Sequence, residues 1–265
     1  MISFERRQRL LATLKEHPGI RVPELSKILN VSEGTVRNDL NALSEQGQLI
    51  RVRGGAQVGD ESRGQNAAFT ARAGVNTDKK QSIARQAAEL IVDGDSILLD
   101  ASSTVFHMAH FLADRRNLRV ITNGIEVGRV LAQNPYNTVI LVGGLLASDG
   151  NSITGLMSDF FLKDLHVNKA FVSCSGFTVE EGLTEVNIHE VQLKRRMIAC
   201  ASKVIALIDS SKFGKIDLTL FAQSGQIQHL LTDAGLDAHW EKLLTESGIS
   251  YTLCGDWETG KPNLI

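Results

Sequence analysis

The sequence predicts an α/β chain in two parts: a small helical head that ends in a β-like run, and a larger domain built on a mostly parallel sheet. Three observations predict it. From Gln81 onward, short apolar strands alternate with helical stretches, the pattern of a parallel sheet covered on both faces. Ahead of that pattern, three short helical stretches fit between Ser3 and Gln46. The charge divides along the same line: residues 1–58 hold nine Lys/Arg and six Asp/Glu, a net +3, which leaves −5 for the rest of a chain whose formal charge is −2.

The bulk composition sets outer limits. With 265 residues, 43% hydrophobic and 22% charged, the chain can bury one medium core and one small one, which excludes a disordered tail protein. Its near-neutral balance excludes a chain-wide cationic coat for nucleic acid or membrane, though not a local one on the basic head. The first residues lack an unbroken apolar run, and no stretch approaches the ~20 apolar residues of a membrane span, so a cytoplasmic protein with no membrane partner is expected. Cys174, Cys200 and Cys254 form no Cys-x-x-Cys pair and read as small apolar residues.

In the head, Leu10, Leu11 and Leu14 mark one face of a first helix that Ser3 can cap and His17-Pro18-Gly19 ends. Pro23 suits the first turn of a second helix, in which Leu25, Ile28 and Leu29 recur at i, i+3 and i+4. Asn30-Val31 breaks that run, and Ser32 can cap a third helix that reaches about Gln46 and stops at Gly47. At 100° per residue, Val36, Leu40 and Leu43 fall within about 60° of each other and form its buried stripe. Gly34, Thr35, Arg37, Asn38 and Asn41 point away from the stripe, an uncharged-to-cationic face of hydrogen-bonding side chains that can enter a major groove. A packing helix with a solvated face would show the same pattern. Next, Leu49-Ile50-Arg51-Val52-Arg53-Gly54-Gly55 alternates arginine with apolar residues and ends in a glycine turn, as a wing does, so Arg51 and Arg53 are candidates for phosphate or minor-groove contact. Asp39 would repel phosphate and is better suited to holding an arginine of the head or capping a neighbouring backbone group.

Residues 56–78 contain three glycines and little aliphatic content, which marks a hinge. The expected division is therefore a head at 1–58, a linker at 59–78 and a large domain at 79–265. In the large domain the predicted strands are Ser96–Asp100, Leu118–Ile121, Thr138–Val142, Lys169–Val172, Val204–Ile208 and His229–Asp233. Helices are expected at Ile83–Ile91, Val105–Leu112 and Ile125–Ala132. Ligands of such sheets sit at the carboxyl ends of the strands. Those ends read Asp100-Ala101-Ser102-Ser103-Thr104, Thr122-Asn123-Gly124, Gly143-Gly144, Ser173-Cys174-Ser175-Gly176-Phe177 and Asp209-Ser210-Ser211-Lys212. Small hydroxyl residues at a strand-to-helix turn leave backbone N–H groups free at a positive helix end, and a lysine adds charge. A phosphate bearing hydroxyls would suit them, although each end taken singly also reads as an ordinary turn or cap.

Arg6, the Leu10/Leu11 pair, Ser32-x-x-Thr35-Val36-Arg37-x-Asp39-Leu40, Leu43, Gly47 and Arg53-Gly54-Gly55 resemble the DeoR family of bacterial transcriptional regulators. The resemblance implies a winged helix-turn-helix whose third helix recognises double-stranded operator DNA, with Ser32, Thr35, Arg37 and Asn38 as contacts. Phe69, Arg72, Asn76 and Lys80 match the stretch that joins the two halves of such proteins. The large domain is similar to the DeoR effector domain, which has a ribose-5-phosphate isomerase-like fold. That similarity implies phosphosugar contacts from Asp100, Ser102, Ser103, Thr104 and Lys212, with Gly143, Gly144, Thr184 and Lys194 lining the pocket. Asn123 and Gly176 join this set by their strand-end positions. Glu190 can meet sugar hydroxyls or pair with Lys194 at i+4. The resemblance runs from about Arg6 to about Gly225, beyond which further strands complete the sheet and the end from Trp257 is expected to be loose. Ser102 stands where the family usually has glycine.

The implied function is repression of a carbohydrate-metabolism operon, relieved by a phosphorylated sugar. Because one recognition helix reads only a few base pairs, a homodimer or homotetramer is expected. The competing reading is a working sugar-phosphate isomerase. Its acid-rich turn is similar to the place where this chain has Ser173-Cys174-Ser175-Gly176-Phe177, which lacks carboxylates, so no catalytic residue is assigned. His107 and His110 have no third ligand at recognisable spacing, while His166, His189, His229 and His239 are isolated, so neither a metal nor another cofactor is expected.

Overall fold

A computed structural model describes residues 3–17, 20–45, 49–52, 55–58, 64–155, 161–255 and 263–264. The chain divides into two units, Met1–Val75 with Ser148–Asn151, and Asn76–Ala147 with Ser152–Ile265.

The first unit contains α1 (Ser3–Glu16), α2 (Val22–Leu29), α3 (Glu33–Glu45), β1 (Leu49–Val52), β2 (Gly55–Val58) and α4 (Gly64–Gly74). One cluster holds the head together: Leu10 and Leu14 of α1, Val22, Leu25 and Leu29 of α2, Val36, Leu40 and Leu43 of α3, and Leu49 of β1. Leu40 lies at its centre with no exposed surface, so truncation to alanine there would cost about 2–5 kcal/mol. Asn30 ends α2 in the left-handed region, at φ +53°, which asparagine tolerates. The Ser32 hydroxyl then accepts from Thr35 N at 3.1 Å and starts α3. Strands β1 and β2 pair antiparallel from Leu49 opposite Val58 to Val52 opposite Gly55, which forms the wing. The expected stops at Pro18-Gly19 and Gly47 lie outside the described residues. Where composition marks a linker, α4 stands instead, with Phe69 and Ala71 buried; so few apolar residues leave no periodic stripe to read.

The second unit begins with α5 (Thr77–Glu89), β3 (Ser96–Leu99), α6 (Ser103–His110), β4 (Arg119–Thr122), α7 (Ile125–Leu131), β5 (Thr138–Leu141), β6 (Leu145–Leu146) and β7 (Ile153–Thr154). It continues with β8 (Val167–Val172), β9 (Gly176–Thr178), β10 (Gly182–Glu185), α8 (Ile188–Ala199), β11 (Ala201–Leu207), β12 (Thr219–Ala222), β13 (His229–Asp233), α9 (Ala238–Glu246), β14 (Tyr251–Cys254) and β15 (Asn263–Leu264). The main sheet runs β15-β14-β13-β11-β8-β3-β4-β5, and every pairing is parallel except that of β15 with β14. Alternation along each strand fills both faces: Ile97 and Leu99 enter one cluster and Leu98 another, while Ile205 and Leu207 oppose Val204, Ala206 and Ile208. The end from Trp257, expected to be loose, supplies β15 at 263–264, and residues 257–262 lie outside the described set.

Chain order and spatial order part company between β3 and β8. The chain goes from β3 to β4 and β5 on one side, then returns to lay β8, β11, β13 and β14 on the other. Such a reversal opens a crevice at the carboxyl ends of the two central strands. Beside it lies a small antiparallel sheet, β12-β10-β9. Gly182 turns β9 into β10 at φ +77°, where an added Cβ would stand 2.2 Å from the Ala222 carbonyl oxygen, so only glycine fits. Among the described residues no helix is long and apolar enough to cross a membrane.

Candidate functional site

On the head, the buried stripe of α3 fixes which side faces out. Ser32, Arg37, Asn38 and Asn41 are exposed and Thr35 is half-buried. The Ser32 and Thr35 hydroxyls lie 2.9 Å apart and bond to each other, so capping occupies part of their hydrogen-bonding capacity. Arg37 donates to Glu33 at 2.7 Å, an exposed i,i+4 pair that the sequence reading did not single out. Arg51 lies in β1, and Arg53 lies outside the described residues.

Behind this face, Asp39 is 2% exposed and holds two arginines of α1: Arg6 bonds both carboxylate oxygens, and Arg7 Nε donates at 3.0 Å. Burial alone would raise the Asp39 carboxyl, but the hydrogen bonds from Arg6 and Arg7 outweigh it and hold the group below the ordinary carboxylate value. Asp39 thus locks α1 to the helix that carries Arg37 and Asn38.

In the second unit, the strand ends at the reversal are tied together by charge. Asp100 follows β3 and is fully buried; Oδ1 accepts from Ser102 N at 3.0 Å and Oδ2 from Ser173 N at 2.9 Å, joining the ends of β3 and β8. Lys194 of α8 is buried and donates to Ser173 O at 2.9 Å and to Glu185 at 2.8 Å, with Asp100 at 3.3 Å. Desolvation would lower the Lys194 ammonium, but Glu185 and Asp100 overcome it and raise the group above the ordinary lysine value. Burial likewise opposes the ionised form of Glu185, yet Lys194 and the Ser175 hydroxyl hold it below the ordinary value. Glu185 was missed as a central group because its partner stands nine positions on in a different element; only the fold brings them together.

Part of the expected ligand set also has protein partners. Asp100 and Lys194 bond the groups just named. The Thr184 hydroxyl donates to Gly176 O at 3.0 Å and accepts from Asp217 N at 2.9 Å, so it serves β9 and β10. Gly176 keeps its place because a Cβ there would meet Lys215 O at 2.5 Å.

Other expected residues follow strand ends or sit in the loops beside them. Ser102 caps α6 through Val105 N at 3.3 Å, leaving the amides of Ser103 and Thr104 at the first two helical positions without a protein acceptor among the described residues. Asn123 follows β4 and is buried; its Nδ2 donates to Ile153 O at 3.2 Å while its Oδ1 has no partner among the described residues. Gly124 packs so closely that a Cβ would stand 3.0 Å from Ala101 Cα, which sets the Asn123 turn against the Asp100–Thr104 loop. Ser152 bridges to Gly124 and donates to Glu190 at 3.3 Å, bringing Glu190 into the same group. Lys212 is half-buried on a 3-10 turn, Ser210–Lys212, which Phe213 anchors against Phe177 and Trp240. Gly143 and Gly144 are exposed at the end of β5, two strands away from β3.

His229 spans Ser250 and Thr252 at 2.8 and 2.9 Å, and His110 bonds Phe106 O. Burial raises the thiols of Cys174 and Cys254. Among the described residues no three His, Cys, Asp or Glu side chains gather as a metal site.

Residues 6–62 match the DeoR-like helix-turn-helix domain, and residues 75–234 match the DeoR C terminal sensor domain. A winged head and a sensing α/β domain together define a DNA-binding transcriptional regulator. The chain is 37% identical to the HTH-type transcriptional regulator GolR of Listeria innocua, over 94% of this chain and 98% of that one. It is 30% identical to the glycerol-3-phosphate regulon repressor of Escherichia coli, over 96% of this chain and all of that one. The chain belongs to the DeoR family of transcriptional regulators. Among solved structures, ribose 5-phosphate isomerase from Methanocaldococcus jannaschii overlaps 52% of this chain and 55% of its own at 21% identity, with a TM-score of 0.38, a likeness too slight to bear on chemistry.

Proposed function

We propose that this regulator represses a carbohydrate-metabolism operon and that a phosphorylated sugar, bound at the carboxyl ends of β3, β4 and β8, releases it from operator DNA. The glycerol-3-phosphate regulon repressor among its relatives supports the class of effector. The observation that carries the reading is the start of α6 at the strand reversal: two amides, Ser103 and Thr104, at the positive end of a helix, and the Asn123 oxygen in the neighbouring turn, all without a hydrogen-bond partner among the described residues. Amides suit phosphate oxygens and a lone acceptor suits a sugar hydroxyl. Ser102, Glu190, Gly143, Gly144 and Lys212 complete the ligand set in this reading, with Asp100, Gly176, Thr184 and Lys194 as its supports. Arg37, Asn38 and Asn41 meet base edges or phosphates, Ser32 and Thr35 meet phosphates, and Arg51 and Arg53 follow the backbone from the wing. The parts fall at 1–58 for the head, 59–78 for the connection and 79–265 for effector binding and assembly.

The reading assigns no catalysis. Asp100 and Glu185 direct their oxygens to Lys194, Ser175 and backbone amides, which leaves neither placed to lift a carbon-bound proton. Two or four copies act together, since one head reads too little sequence. Val186, Ile188, Ile216 and Leu218, each more than half exposed, flank the place where β10 ends and β12 begins and offer an apolar surface for a second copy. With operator DNA as partner, the protein works in the cytoplasm.

The test is fluorescence anisotropy of a labelled fragment from upstream of the protein's own gene, titrated with protein and then with a panel of sugar phosphates at fixed salt. Tight binding that one sugar phosphate reverses is expected. Absent DNA binding with turnover of a sugar phosphate would instead establish the isomerase.

A further inference from the structure

The first residue of the second unit is bonded to the turn that carries Lys212. Asn76 sits in the left-handed region, at φ +54°, just ahead of α5 and directly after Val75, the last residue of the first unit's leading stretch. Its Nδ2 donates to Asp209 Oδ1 at 3.3 Å and to Ser211 Oγ at 3.2 Å. One turn along α5, Lys79 Nζ donates to Ser210 Oγ at 2.5 Å and pairs with Asp233 Oδ2 at 3.3 Å. Asp233 in turn accepts from Ser210 N at 2.6 Å and Gly235 N at 3.1 Å. Within the Ser210–Lys212 turn, Ser210 and Ser211 are thus each gripped by a residue from the start of α5, and Asp209 and Asp233, which receive those bonds, are 2% and 4% exposed.

Such a layout has a mechanical consequence. A turn whose two serines are held by Asn76 and Lys79 cannot shift toward a ligand on Lys212 without lengthening those bonds or drawing the start of α5 with it. Among the described residues, the side-chain hydrogen bonds and ion pairs of Asn76 and Lys79 go to Asp209, Ser210, Ser211 and Asp233 and not to the α6 amides or the Asn123 turn, so the ligand contacts proposed there are made by other residues.

We propose that Asn76 and Lys79 are positioning residues that pass the state of the Lys212 turn into the segment where the two units join. This rests on the reading of the Lys212 turn as part of the effector site. Coupling then lives in four hydrogen-bonded or charge-paired contacts, and weakening them separates effector binding from operator release.

The experiment is hydrogen–deuterium exchange by mass spectrometry on the full chain, with glycerol 3-phosphate as probe and operator anisotropy measured in parallel. Its variants are Asn76→Gly, which keeps the left-handed backbone without the amide, Lys79→Met and Ser211→Ala. In the natural chain the probe protects amides 77–80 together with 210–213. In Asn76→Gly and Lys79→Met it protects 210–213 alone, and operator release weakens about fivefold, the effect of one net hydrogen bond. Protection of 210–213 alone in the natural chain, or of both segments in both variants, overturns the proposal. If the probe protects neither segment, it is the effector reading of this turn that fails, and the probe-free arm decides the coupling. There Ser211→Ala speeds exchange at 77–80 about fivefold if Asn76 is held by the turn, and unchanged exchange in that arm overturns the proposal.

Discussion

Replacing Lys194 with methionine tests whether the buried charge cluster organises the site. Methionine fills nearly the same volume as the lysine stem, so no cavity forms and the cost is electrostatic. The side chain is 6% exposed and serves Glu185, at 11%, and Asp100, at 0%. Removing one partner of a buried pair costs roughly 3–5 kcal/mol. Trp240 lies in α9 of the second unit and residues 1–75 contain no tryptophan, so urea unfolding followed by tryptophan fluorescence reports this unit and not the head. With a slope of about 2–3 kcal/mol per molar, the midpoint should fall by about 1–2 M at neutral pH. The loss should shrink in acid. In the natural chain Glu185 lies below its ordinary value, so its stabilising contribution is present above the unfolded carboxylate range and is lost as pH falls through the lowered value. In the variant the largest offset to burial is gone and only the Ser175 hydroxyl and the Val186 amide remain, so Glu185 moves up from its lowered value and less stability is lost as pH falls. The two curves therefore converge in acid. A midpoint shift under about 0.3 M at neutral pH, or a gap that widens in acid, would refute the reasoning.

Four further outcomes follow from the same contacts. Arg37→Ala should weaken operator binding by roughly 1–3 kcal/mol in anisotropy titrations and leave sugar-phosphate binding unchanged; equal loss of both would indicate misfolding. Lys212→Ala should abolish the sugar-phosphate response while retaining operator affinity, and an unaltered response would remove Lys212 from the site. Asp39 is held below its ordinary value, so the head keeps this contribution above the unfolded carboxylate pKa near 4 and loses it as pH falls through the lowered value; Asp39→Asn should flatten the head's acid transition followed by circular dichroism. Leu218→Lys should shift the assembly toward monomers in sedimentation and weaken operator binding with it, and an unchanged sedimentation profile would move the interface elsewhere.

Periodicity made much of this fold legible. Val36, Leu40 and Leu43 betray the buried side of α3, and His229–Asp233 is read to the residue, because local patterns carry that information. The charge of Asp39 pointed to an arginine partner before Arg6 and Arg7 were placed beside it. What stayed hidden depends on distant residues. Lys194 reads like a pocket lysine until the fold sets Glu185 and Asp100 around it. Thr184 reads like a ligand hydroxyl, and only the fold shows its bonds to Gly176 of β9 and to the Asp217 amide. The β12-β10-β9 sheet escaped notice because its strands are only three or four residues long and one of its two pairings joins Leu183 to Ala222 and Glu185 to Thr219, far apart in the chain. Glu33 was passed over for a different reason, since an exposed i,i+4 partner looks like any solvated charge.

That Glu33 partner gives the head an internal competitor for DNA. Any contact from Arg37 to a base or phosphate begins by displacing a carboxylate already 2.7 Å away, a step worth about 0.3–0.5 kcal/mol, or about twofold in affinity, for each head. The displacement is the same whatever sequence lies in the groove. It therefore lowers random and cognate binding by one common factor and leaves their ratio intact, so changes at position 33 would act as a gain control on repression, setting how much protein fills an operator without altering which operator is read.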